Sequence, residues 1–155
     1  MKNTTITVIL MVTTIIFANT IHVPGDYTTI QGGIDASVNG DTVFVSSGTY
    51  VENIDFNGKS ISLIGEETET TIIDGDSLDT VVKIINGENA STLLRGFTIT
   101  NGNTIEQGGG IKVANYSSPT IMNCNIQYNN NNSENSGAMG AGIHCGTNST
   151  PMIIN

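Results

Sequence analysis

The chain has 155 residues, 37% of them hydrophobic and 12% charged, which is one domain's worth of material with enough apolar side chains for a real core. Fourteen acidic residues against five basic ones give a formal charge of -9, which excludes nucleic acid and anionic lipid as main partners; an anionic polysaccharide would be repelled unless cations bridge it. Eighteen glycines, abundant Asn and recurring short runs of β-branched residues suit many short strands joined by tight corners.

Lys2, the apolar and Thr-rich run over 6–17 and then Ala18 have the layout of a secretory signal peptide, residues 1–18. The Thr and Ile content also suits a buried first strand. No later segment is long and apolar enough to span a bilayer, so no transmembrane segment is expected. Ile21-His22-Val23 reads as a short strand closed by the turn signal Pro24-Gly25-Asp26. Thr28 or Thr29 then caps a helix carrying Ile30, Ile34 and Val38 at i, i+4 and i+8. Gly32 and Gly33 weaken that helix by roughly 1 kcal/mol each relative to Ala, so packing must hold it.

Three strand series follow. One runs through Ile54-Asp55-Phe56, Val82-Lys83-Ile84, Ile111-Lys112-Val113 and Ile143-His144-Cys145, with starts offset by 28, 29 and 32. A second takes Ile61-Ser62-Leu63, Leu93-Leu94, Thr120-Ile121 and Met152-Ile153; a third takes Val43, Ile72-Ile73, Thr98-Ile99 and Asn125-Ile126. Three interleaved series with a near-constant return length predict an all-β chain wound as a right-handed parallel β-helix, a solenoid of three strands per rung, with a short N-terminal capping helix. Aligning 94–99 on 121–126 sets Gly96 against Asn123, and these residue types best tolerate the positive φ of a sharp bend. The clearest rungs are Gly108-Gly109-Gly110-Ile111 with Pro119 and Gly140-Ala141-Gly142-Ile143 with Pro151, 32 residues apart. Cys124 plus 32 falls one residue past Asn155, so residues 19–155 read as the N-terminal part of a longer, truncated coil. The Asn-rich stretch 129–136 reads as a solvated loop, with stacked Asn side chains inside a corner as the alternative.

These residues carry a resemblance. Tyr27-Thr28-Thr29-Ile30-Gln31, Gly40-Asp41-Thr42-Val43, Gly48-Thr49-Tyr50-Val51-Glu52-Asn53-Ile54 and Ile61-Ser62-Leu63-Ile64-Gly65 resemble the opening of pectin methylesterases and other members of the pectin-lyase-like right-handed β-helix superfamily. The Gly-Gly-Gly-Ile and Ser-Pro-Thr-Ile-Met-Asn-Cys units are similar to secreted bacterial β-helix repeat proteins. The resemblance implies an exported, helix-capped β-helix, often engaged with polysaccharide. It transfers no catalytic residue, because no stretch matches the family's later catalytic motifs, and Gly32 and Gly33 depart from the usual Ala at that helix.

Apolar residues inward in the first series leave Asp55, Lys83, Lys112 and His144 outward on successive rungs, a ladder of about 4.8 Å per step. Such a stripe suits a sugar carboxylate or hydroxyls; the plainer reading is an ordinary solvated strand face. Asp74, Asp76 and Asp79, next to Glu66-Glu67-Thr68-Glu69, cluster oxygens as calcium prefers, although their spacing fits neither an EF-hand nor a nonapeptide repeat and also suits a solvated loop. No other cofactor is implied. Cys124 and Cys145 fall at inward positions of different faces and read as buried small hydrophobes without a disulfide. The sequons at Asn89, Asn115 and Asn148 are of the kind an Asn-rich chain produces by chance. The expected protein is a secreted or cell-surface module that binds carbohydrate, with polysaccharide as the expected partner, or acts as a scaffold, with no catalysis in this segment. The alternative is the opening of a polysaccharide lyase, esterase or glycoside hydrolase whose catalytic rungs lie beyond Asn155.

Overall fold

The computed structural model describes residues 17–105, 107–132 and 140–155, so all but Phe17 and Ala18 of the expected signal peptide lies outside the described residues, as does 133–136 of the Asn-rich stretch. Strand β1 (Thr20–Val23) and helix α1 (Ile30–Ala36) come first. A first circuit follows through β2 (Thr42–Val45), β3 (Gly48–Val51) and β4 (Ile54–Asp55), and a second through β5 (Ser62–Gly65), β6 (Thr71–Asp74) and β7 (Val82–Ile84). The third is β8 (Leu93–Arg95), β9 (Thr98–Thr100), the short β10 (Asn103–Thr104) and β11 (Ile111–Val113). The fourth is β12 (Thr120–Met122), β13 (Asn125–Ile126), β14 (Asn130–Asn131) and β15 (Ile143–Cys145), after which β16 (Met152–Ile154) begins another.

Strands recurring at the same stage pair in parallel. They make sheet A (β1-β2-β5-β8-β12-β16), sheet B (β3-β6-β9-β13), sheet C (β4-β7-β11-β15) and a two-stranded sheet of β10 and β14. The chain is thus all-β and parallel, with one short helix. The period-2 pattern explains the registers. Ile54, Val82, Ile111 and Ile143 pair in one column, and Leu63, Leu94, Ile121 and Ile153 in another, so alternate side chains meet in a single core, apart from the exposed Ile153 on the last strand. Gly96 and Asn123 take φ +79° and +47° at the bend between sheets A and B, as their alignment requires.

Four expectations need correcting. Val43 pairs with Leu63 in sheet A; the third series instead opens with Thr49 and Tyr50 against Ile72 and Ile73. β3 has no fully buried residue, so its sequence lacks the apolar alternation that marks its neighbour β6. Val38 lies past the helix and is 51% exposed, because the Ser37 amide bonds to Gly33 O and Ile34 O and closes α1. Cys145 does pair with Val113, but it is exposed, and Cys124 is half-buried. The pairing direction is right and the burial wrong, since no described strand packs beyond β15. The Asn-rich stretch is not wholly a loop either. Asn129 bonds from within the corner to Gly102 N (2.8 Å) and Ile99 O (3.0 Å), and Asn130 and Asn131 pair with β10.

Helix α1 begins at Thr29, whose hydroxyl accepts from Gly32 N, and packs on β1, β2 and β4 with Ile30 and Ile34 fully buried. Packing is reinforced by three clamps. Glu52 accepts from Ile30 N (2.9 Å) and Gln31 N (3.0 Å), where the helix amides lack internal partners. Lys59 Nζ donates to Ile34 O and Asp35 O, both at 2.7 Å, at the opposite end, where a cation suits the helix dipole. The Gln31 amide accepts from Asp55 N (2.8 Å) and donates to Asp55 O (3.1 Å), standing in for a further strand on the edge of β4.

Candidate functional site

Sheet C places Asp55, Lys83, Lys112 and His144 in register on four adjacent strands, as the alternation predicts. All four are half-buried rather than fully solvated. The connections from sheet B to sheet C lengthen circuit by circuit: 52–53, 75–81, 101–110 and 127–142. Their described residues, 75–81, 101–105, 107–110, 127–132 and 140–142, are called the wall below.

The wall touches the column. Lys83 Nζ donates to Asp79 Oδ2 at 2.6 Å, so Lys83 takes its carboxylate from the wall and not from Asp55, its neighbour in the column. Asp55 Oδ1 instead accepts from Asn57 N (2.7 Å) and Asn86 Nδ2 (3.3 Å). Burial raises the proton affinity of Asp79, but hydrogen bonds from Lys83 and Thr80 and the charges of Lys83 and Lys112 outweigh it, and the carboxyl lies below its ordinary value. Partial burial first, and then Lys112, hold the His144 imidazole below its usual range. At neutral pH the column therefore presents a neutral imidazole next to an ammonium.

The wall also encloses a cavity of about 350 Å³ lined by Ser77, Asp79, Asn103, Thr104 and Asn132. Leu78 and Ile105 stand exposed on its rim. Asn103 donates to Ser77 O (3.4 Å), while its Oδ1 is buried with no hydrogen-bond partner among the described residues. A buried amide oxygen without a donor is costly and suits a polar ligand that brings one. Polar groups and an apolar rim thus meet beside the Lys83 end of the column, linked to it through Asp79. Sequence reasoning found the column and missed the wall, whose signal was the widening return length of the first series.

The three aspartates considered for calcium have different partners. Asp74 accepts from Asp76 N (2.9 Å) and Asn101 Nδ2 (2.9 Å), Asp76 is exposed at positive φ, and Asp79 holds Lys83. No group of three His, Cys, Asp or Glu side chains is disposed to hold a metal among the described residues. Burial raises both thiols above their ordinary value, and for Cys124 this outweighs hydrogen bonds to its sulfur from Phe97, Gly96 and Met122. Among the described residues no helix is long and apolar enough to cross a membrane. No protein-family model, no curated protein and no solved structure matches this chain.

Proposed function

We propose that the chain is a secreted or cell-surface binding module of the pectin-lyase-like kind, a right-handed β-helix capped by α1, that holds polysaccharide along the outer face of sheet C. The observation that carries this reading is the stacking of Lys83 on Lys112 in an otherwise acidic chain, beside the cavity that the lengthening wall encloses. Two ammonium groups one strand apart, about 4.8 Å, match the repeating carboxylates or hydroxyls of a sugar chain laid across the strands. Asn103 and Asn132 add amide groups for sugar hydroxyls. The role is binding, with no catalytic step assigned to these residues. The alternating sheets, the closed helix end and the Gly-rich entries to sheet C support the fold assignment.

The test is an acidic and neutral glycan array on the purified chain, followed by calorimetry, with the pair Lys83→Ala and Lys112→Ala. Acidic glycans are expected to bind and to lose roughly tenfold or more in affinity when both ammonium groups are removed. Binding that the double variant leaves unchanged overturns the reading.

A further inference from the structure

Sheet A carries a second outward column, unlike that of sheet C. In register it runs His22, Phe44, Ile64, Arg95, Met122 and Ile154. Connections from sheet A to sheet B are short at 46–47, 96–97 and 123–124, but 66–70 is long. It is also fastened. Thr98 Oγ1 donates to Thr68 O at 2.7 Å, and Thr68 Oγ1 donates to Asn123 O at 3.0 Å, so Thr68 spans the next two circuits. Between this fixed loop and the column lies a cavity of about 290 Å³, whose lining includes Phe44, Ile64, Glu66, Glu67 and Arg95.

The cavity has an apolar floor and a charged rim. The Phe44 ring meets the His22 ring edge-on, with centroids 5.8 Å apart at 61°, so its orientation is supported. Glu66 is anchored by Ser47 N at 2.8 Å. Arg95 is the chain's single arginine, and it forms no ion pair with Glu66 or Glu67 although all three line one small space. The guanidinium donors of Arg95 and the carboxylate acceptors of Glu66 and Glu67 are therefore not tied to one another.

Those features exclude most ligand classes. An anion would meet two carboxylates against one guanidinium, and a cation would meet the guanidinium. A purely apolar ligand would strip water from the rim charges without replacing it. An uncharged polyol with a flat C–H face satisfies both parts, and about 300 Å³ is the lower end of small-ligand sites, room for one ring. We infer that this cavity binds a single neutral pyranose, its C–H face on Phe44 and Ile64, its hydroxyls donating to Glu67 and accepting from Arg95. The site lies on another sheet from the lysine column and takes an uncharged sugar, so the two readings fail separately.

Ligand-observed NMR on the full chain, with methyl glucoside, galactoside and mannoside against galacturonate as probes, tests it. Saturation transfer to the ring C–H protons of at least one methyl hexoside is expected, with a Kd of order millimolar. Arg95→Ala and Glu67→Gln, both at exposed positions, should each weaken it roughly fivefold or more, while the Lys83 and Lys112 variants leave it unchanged. Three results overturn the inference: no saturable binding of any neutral hexoside, stronger binding of galacturonate at this site, or affinity unaltered in both rim variants.

Discussion

Glu88 is fully buried in a polar connection between sheets C and A, and its carboxylate ties three circuits together. Oε1 accepts from Gly58 N at 2.9 Å; Oε2 accepts from Asn86 N at 2.8 Å and from Ser117 Oγ at 2.7 Å. Glu88→Ala removes all three acceptors at once. An orphaned buried donor costs roughly 1–3 kcal/mol; about 2 for the fully buried Ser117 and about 1 for each less buried amide sums to about 4 kcal/mol. With a urea slope of about 2 kcal/mol/M, the midpoint falls by about 2 M. Glu88→Gln keeps the shape and one acceptor oxygen and is expected to lose about half as much. Urea unfolding followed by circular dichroism measures both, with Glu69→Ala in the exposed 66–70 loop as a control expected within about 0.5 kcal/mol of the parent. A Glu88→Ala protein within about 1 kcal/mol of the parent would refute the idea that this carboxylate clips the circuits together.

Gly96→Ala must hold φ near +79° with a Cβ 2.8 Å from Gly65 O, and is expected to cost about 2–4 kcal/mol in the same assay, whereas Asn123→Gly at the equivalent bend changes stability by a few tenths; equal effects would remove the bend argument. His144 resists protonation in the folded chain, so the stability present above its unfolded value is lost as pH falls through that value towards the folded one. His144→Asn should flatten the melting-temperature profile between about pH 7 and 5, and an unaltered slope counts against the assignment. Asp79, whose carboxyl lies below its ordinary value, adds a separate loss at lower pH as it protonates. Asp79→Asn frees Lys83 and should tighten acidic glycan binding about two- to fivefold at low salt, with little effect on stability because an exposed ion pair contributes about 0–1 kcal/mol; weaker binding would mean that Asp79 itself contacts the ligand.

Legibility followed burial. Columns such as Ile54-Val82-Ile111-Ile143 were readable because inward residues must be apolar and recur with the circuit, and the outward Asp55, Lys83, Lys112 and His144 came with them by alternation. β3 was missed for the converse reason, since neither of its faces is fully buried. The helix clamps by Glu52, Gln31 and Lys59 link residues more than twenty apart through side chains, and local periodicity is blind to that. Gly33 shows the same limit. Propensity marks it as a weak point, yet a Cβ there would sit 3.0 Å from Val43 Cγ1 and 3.1 Å from Val23 Cγ2, so the close approach of α1 to the sheet needs glycine. Glu88 carries no local sign of its burial, because burial of a charge is decided by the donors that converge on it and those come from three separate corners.

The wall beside sheet C also resolves an apparent conflict between a chain charge of -9 and an anionic ligand. At physiological ionic strength the screening length is about 8 Å, so carboxylates further away weigh little on a ligand at the column. Among the described residues the charges beside it are Lys83 and Lys112 against Asp55 and Asp79. Asp55 is held by backbone and amide donors, and Asp79 is engaged with Lys83, so both of these carboxylates are already met by donors of the chain. Partial burial of the column side chains lowers the local dielectric and strengthens each contact relative to open solvent. Attraction there is therefore local and salt-dependent, and a longer sugar chain would gain from contacts on the wall where more charge would gain it little.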